Sequence, residues 1–245
     1  MSTHLETEIN SFLIALLPPP KENPDHTLGN YHWARNTNAF TLKVTASVTP
    51  DWSQELASTL TAWTIDGLLS FDLADIDDNA LVRRRCSMIV GEIRVCNDSY
   101  GSNGWLGLAS IGIDANGHVD RGTAKLNDYY SSYWNSQSLK NHVMCQEVGH
   151  LFGLGHTSVD GSSQKTCMDY SNDPDSQWPN NHDYALLLDI YAHYDSYNSY
   201  TGAADDGGTP EPDPEPDDGG GKKPCNAPPG KGCNKSGFST EIPPM

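Results

Sequence analysis

The sequence predicts an α+β fold, a mixed twisted sheet with helices packed on it, and three observations predict it. A strand-like alternation, FTLKVTASV from Phe40 to Val48, runs directly into an amphipathic helical pattern. Several short β-prone runs come next. Two helical patterns then close the body, from about Ser138 and over Asn181 to Tyr194. Strand, helix, several strands and two helices is the order of a layered domain whose sheet is covered by helices.

Each element has a local cause. Residues 1–28 read as a leader. Leu5, Ile9, Phe12, Leu13 and Leu16 share one helical face, and Pro18, Pro19 and Pro20 stop it. Glu6 and Glu8 stand where a signal peptide would carry positive charge, so the run SFLIALL is read as a short helix. After the first strand, Thr49, Pro50 and Asp51 start a helix at a position where proline's missing N–H costs nothing. Leu56, Leu60 and Trp63 lie further along on one face. SMIVGEIRVC (Ser87 to Cys96) and GWLGLASIGID (Gly104 to Asp114) read as strands, and Asn116 with Gly117 marks a tight turn before HVDRGTAKLN. RRRC (Arg83 to Cys86) reads as a solvated loop, and Tyr129 to Ser138 shows no clear period. In the last helix Asn181 is the expected cap, with Leu186, Ile190 and Tyr191 inward.

The body is expected over 29–200. From 201 to 245 the chain turns acidic and rich in proline and glycine, DDGGTPEPDPEPDDGGG, which lacks core-forming residues and is expected to stay disordered. A formal net charge of -17 argues against nucleic acid and anionic membrane surfaces as partners. No segment has the length of a transmembrane helix. Six cysteines fall into three local pairs, Cys86 with Cys96, Cys145 with Cys167, and Cys225 with Cys233. Three short-range disulfides would produce that pattern, and they suggest an oxidising, extracellular compartment. Free thiols in a cytosolic chain are the alternative.

One stretch carries chemistry: CQEVGHLFGLGH, Cys145 to His156. On a helix Gln146 and His150 lie one turn apart on the same face, so both can reach one ion. Glu147 is offset around the axis, beside such an ion, where a general base belongs. Gly153 lets the chain leave the helix sharply, and His156 can then swing back as a third ligand. TCMDY, Thr166 to Tyr170, comes soon after.

With that second element the chain resembles the metzincin metalloproteases, whose His-Glu-x-x-His-x-x-Gly-x-x-His helix precedes a methionine turn. The resemblance, which spans about 30–200, implies a zincin-like catalytic domain that binds Zn2+. It implies His150 and His156 as zinc ligands, Glu147 as the base that activates water, Met168 beneath the metal, and Tyr170 near it as an oxyanion stabiliser. It further implies a peptide or protein substrate extended along the strand near Gly107 to Ile111, and a secreted, monomeric metalloendopeptidase.

The departure is Gln146, where the family has histidine. A glutamine amide oxygen is harder and weaker toward zinc than an imidazole nitrogen. His142, on the same face, is eight residues from His150, about 12 Å along the axis, too far to share one ion. His182 and His193 are conceivable substitutes, and either Cys145 or Cys167 could supply a thiolate instead of forming a disulfide. Three states of the site therefore stay open. Zinc is held by His150, His156 and Gln146 or water; or no ion is held and the motif persists as packing around Leu151, Phe152 and Leu154; or another ligand is preferred. The corresponding alternative function is an inactive peptide-binding module without stable zinc. A third is a protein whose acidic tail is the working part.

Overall fold

In the computed structural model, which describes residues 26–200 and 237–242, the alternation at the start of the body becomes β1, Phe40–Ser47. Phe40, Leu42 and Val44 are buried, and the intervening Thr41 and Lys43 are only partly so. Helix α1, Pro50–Trp63, begins at Pro50 as the sequence predicts and buries Trp52, Leu56, Leu60 and Trp63. It carries the chain across to β2, Leu69–Ile76, which pairs parallel with β1. β2 is absent from the expected elements: Leu69, Phe71 and Leu73 do alternate with Ser70 and Asp72, but the run is short and residues 72–76 are exposed.

RRRC is not a loop. Helix α2, Ala80–Arg85, is capped by the Asn79 side chain, which accepts from Leu81 N, and it ends at Cys86 in the left-handed conformation. Arg83, Arg84 and Arg85 occupy its last turn, where cations meet the negative end of the helix dipole. Strand β3, Glu92–Asp98, starts later than the apolar run because Glu92 N closes a turn onto Ile89 O. Strands β4, Gly107–Ile113, and β5, Val119–Asn127, form the expected hairpin. The Asp114 carboxylate accepts from Asn116 N and His118 N at its turn, and Gly117 supplies the positive φ. The aromatic stretch that shows no period is a 3-10 segment, Asp128–Asn135.

Helix α3, Gln137–His150, is capped by Ser136 and carries the motif. Every residue from Asn141 to His150 is buried, because α3 runs between α1 on one side and β4 and β5 on the other. Helix α4, Asn181–Ile190, is capped by Asn180, not Asn181. The Asn180 side chain accepts from His182 N and Asp183 N while Asp183 returns a bond to Asn180 N, a capping box. The helix stops at Ile190, short of the Tyr194 that its apolar pattern suggests. Leu187 and Tyr191 are buried, with Leu186 and Ile190 packed at the core's margin.

The sheet order is β2-β1-β3-β5-β4, parallel from β2 to β5 and antiparallel at β4. A sixth strand, β6, Gly237–Ile242, extends it beyond β4, again antiparallel. Within the stretch expected to be wholly unstructured, these six residues therefore form an edge strand. The proposed leader helix and the Cys225–Cys233 pair lie outside the described residues. This is an α+β domain with a mixed sheet, and its core joins Leu42, Ile93, Leu126, Trp63, Met144 and Phe152. Disulfides link Cys86 to Cys96 and Cys145 to Cys167, two of the three expected pairs. No described helix is long and apolar enough to cross a membrane.

Candidate metal centre

Helix α3 ends on His150, and one glycine shapes the turn beyond it. Gly153 has φ +103°, and a Cβ there would fall 2.2 Å from the Tyr31 carbonyl oxygen, so only glycine fits. The chain reverses at this point and is held by the N-terminal segment: Leu28 N donates to Gly153 O, and Gly155 N donates to His26 O. The turn brings the His156 ring to 4.5 Å from that of His150, edge to face. Beyond His156, Thr157 N donates to Met168 O and Tyr170 N to Ser158 O. The methionine segment is thereby zipped alongside the segment that carries His156. The Tyr170 ring lies 4.4 Å from the His156 ring.

The Cys145–Cys167 disulfide fastens the same segment to α3, so neither sulfur is a thiolate ligand. Met168 is fully buried, and a Cβ on Gly149 would meet its Sδ at 2.7 Å and Trp63 Cζ2 at the same distance. The methionine thus packs directly against the last turn of α3. The disulfide closes a loop with a sequence separation of 22. Replacing both Cys145 and Cys167 by alanine is expected to cost about 3 kcal/mol of stability through the freed unfolded chain. Urea unfolding would read this as a lower midpoint, and an unchanged midpoint would show that the tie adds nothing to the contacts around it.

Gln146 is where sequence and structure meet most closely. Its Nε2 donates to Cys167 O at 2.7 Å and to Asp169 O at 2.8 Å, the two carbonyls that flank Met168. The reversed amide would set an oxygen against two carbonyl oxygens, so this orientation is the one the surroundings enforce. The amide Oε1 is left buried with no hydrogen-bond donor. His150 repeats the pattern: Nδ1 donates to Leu154 O at 2.8 Å, so the neutral ring carries its lone pair on Nε2, which is buried and has no hydrogen-bond partner. His156 is half-buried overall, but its Nε2 is sealed from solvent and likewise has no hydrogen-bond partner. Burial lowers the His150 pKa to about 4, against a small opposing effect of the bond to Leu154 O. Burial, then the neighbouring His150 and His142, hold His156 well below the usual imidazole range. Both rings are therefore neutral at neutral pH, and His150 is an acceptor at Nε2.

Glu147 is fully buried on the side of α3 that faces β4. Its side chain lies flat on the backbone of Gly107, where a Cβ would come within 2.4 Å of Oε1. The sheet itself positions the carboxylate, because no residue larger than glycine leaves it room.

The remaining histidines separate cleanly. His142 is buried two turns earlier on α3 and donates Nδ1 to Ser176 O, so it supports the loop after Met168. His182 stays in the first turn of α4 with its Nε2 3.0 Å from His26 Nδ1. His193 lies beyond α4, against His32 and Asp195. His182 and His193 are engaged elsewhere, whereas His142 Nε2, like His150 Nε2, is buried without a hydrogen-bond partner. The edge of β4 from Gly107 to Ile111, the stretch for which an extended substrate is expected, is paired instead with β6 of the chain itself.

Three buried atoms of the motif without a hydrogen-bond partner, one of them on an imidazole oriented by the bond from its other nitrogen, are costly unless something satisfies them. A divalent cation that accepts nitrogen and oxygen ligands would satisfy all three at once. The donor set therefore fits a metal ion. Comparison with protein-family models and with curated proteins finds no match for the chain.

Proposed function

We propose that the chain is a metzincin-like zinc peptidase that hydrolyses peptide bonds. The observation that carries this reading is that three atoms of the motif, Gln146 Oε1, His150 Nε2 and His156 Nε2, are buried without hydrogen-bond partners. These are the residues that would hold zinc. When bound, zinc supplies Lewis-acid polarisation of the scissile carbonyl and lowers the pKa of water. Gln146 contributes a harder ligand than histidine, and its two bonds to the methionine turn offset that by fixing the amide in place.

The protein's own groups divide the rest of the work. Glu147 takes a proton from the attacking water and delivers it to the leaving nitrogen. Its burial against Gly107 keeps the carboxylate in one position between those two steps. The Tyr170 hydroxyl, beside His156, donates to the carbonyl oxygen as negative charge develops there. A secreted setting suits the two disulfides.

Zinc content and peptide hydrolysis, measured together on wild type, His150→Ala and Gln146→His, test this reading. Wild type should hydrolyse an unstructured peptide, lose the activity to a chelator, and regain it with added zinc. His150→Ala should lose the activity outright. Gln146→His should remain active only if the imidazole can forgo one of the two carbonyl bonds that Gln146 makes. Wild type that binds no zinc here and is indifferent to chelator would leave the inactive peptide-binding module as the account of the fold.

A further inference from the structure

We infer that His32, His193 and Asp195, with His118 against the same carboxylate, form a second divalent-cation site, of zinc type, which staples three distant parts of the chain. The four residues come from the segment before β1, the β4–β5 turn and the segment after α4. None belongs to the Gln146 centre, and the inference does not depend on the proposed activity.

The geometry is that of a ligand shell. His193 Nε2 lies 3.0 Å from His32 Nε2. Asp195 Oδ1 lies 3.1 Å from His118 Nε2 and 3.7 Å from His193 Nε2, and Asp195 Oδ2 lies 3.7 Å from His32 Nε2. Two ligands bound to one tetrahedral ion at about 2.0–2.1 Å are themselves about 3.3 Å apart. The observed separations bracket that value. His32, His193 and Asp195 offer ligand atoms all within 4.8 Å of one another, and His118 reaches the same carboxylate from the hairpin.

The tautomers of two of the rings point the same way. His32 Nδ1 lies 2.8 Å from the Asn30 carbonyl, which can only accept, so Nδ1 carries the proton and Nε2 the lone pair. The Tyr197 hydroxyl gives its proton to Asp114, so its oxygen accepts from His118 Nδ1 at 2.9 Å. That again leaves the lone pair on Nε2. With a single ring proton each, His32 and His118 would both turn lone pairs toward the Asp195 carboxylate. A cation among them would take these lone pairs in place of the His193–His32 hydrogen bond. Histidine that donates its outer nitrogen to a carbonyl or a hydroxyl while the inner nitrogen points at a carboxylate is the arrangement of metal-bound imidazole.

His32, His193 and Asp195 would supply three ligands, with His118 held on the same carboxylate, and all four join distant segments, which suits a structural ion. Asp195 is held for the role, since its carboxylate accepts from Arg35 N and its own N–H donates to Arg35 O. His32 and His193 are 161 residues apart, so the ion would close almost the whole described body. It would also anchor the segment running from His32 back to Leu28, which braces the Gly153 turn.

The test is zinc stoichiometry by elemental analysis of the full chain, incubated with zinc chloride and desalted, in wild type, His193→Ala and His118→Ala. Circular dichroism would confirm that each variant folds, and half-exposed His193 can be truncated without opening the core. Two zinc ions per chain in wild type and one in each variant is the expected result. One in wild type and none in His193→Ala would sustain this site and remove the metal reading of the Gln146 centre. Equal zinc in wild type and His193→Ala, whether two, one or none, would overturn it, leaving three imidazoles that share a carboxylate by protonation alone.

Discussion

Glu147→Gln is expected to lower kcat for peptide hydrolysis by about 10²–10⁴-fold, the usual contribution of a positioned general base. Zinc content should not change, because Glu147 is not among the ligands. The substitution is nearly isosteric and keeps the contact with Gly107, so the fold should tolerate it. Stability is expected to hold, since the replacement has nearly the same shape at this fully buried position. Kinetics, elemental analysis and thermal unfolding of one preparation would separate these effects. A loss of activity that tracks a loss of zinc, or a fall in melting temperature, would mean that Glu147 holds the site together and does not act as its base.

Removing residues 237–245 is expected to raise kcat/KM for extended peptides by about tenfold or more. β6 pairs along the whole of β4 from Gly107 to Gly112, and so satisfies the backbone groups on the edge next to Glu147. A peptide that binds by strand addition would need those same groups. A tethered competitor acts at an effective concentration in the millimolar range, so its removal should appear mainly in KM. Full-length and truncated chains should hold the same zinc. If KM is unchanged, substrate does not lie on this edge, and β6 simply covers an otherwise exposed strand.

Much of this architecture is legible in the sequence, for physical reasons. α1 is readable because it has one wet and one dry face, and β1 because its first half alternates buried with partly buried residues. α3 is readable from a different signal, the spacing of Gln146, Glu147, His150, Gly153 and His156, and not from amphipathicity. It is buried all round, so its period carries no information. β2 and α2 are missed because one is an acidic, mostly exposed strand and the other has no buried residue. The Asn181 cap is misplaced by one position, since adjacent Asn180 has the same side chain and only the Asp183 capping box tells them apart.

The chemistry divides along the same line. How Gln146, Glu147 and His150 are spaced on one helix, and which cysteines pair at Cys86–Cys96 and Cys145–Cys167, are properties of the chain read locally, and they hold in the folded protein. The orientation of the Gln146 amide depends on carbonyls that are 21 and 23 residues away. The Glu147 carboxylate is set by Gly107 on another strand, β4 acquires a neighbour from the far end of the chain, and His32 meets His193 across 161 residues. Such contacts leave no periodic trace, because nothing in local conformational preference brings their partners together. They exist only once the hydrophobic core has closed and forced distant polar groups to find one another.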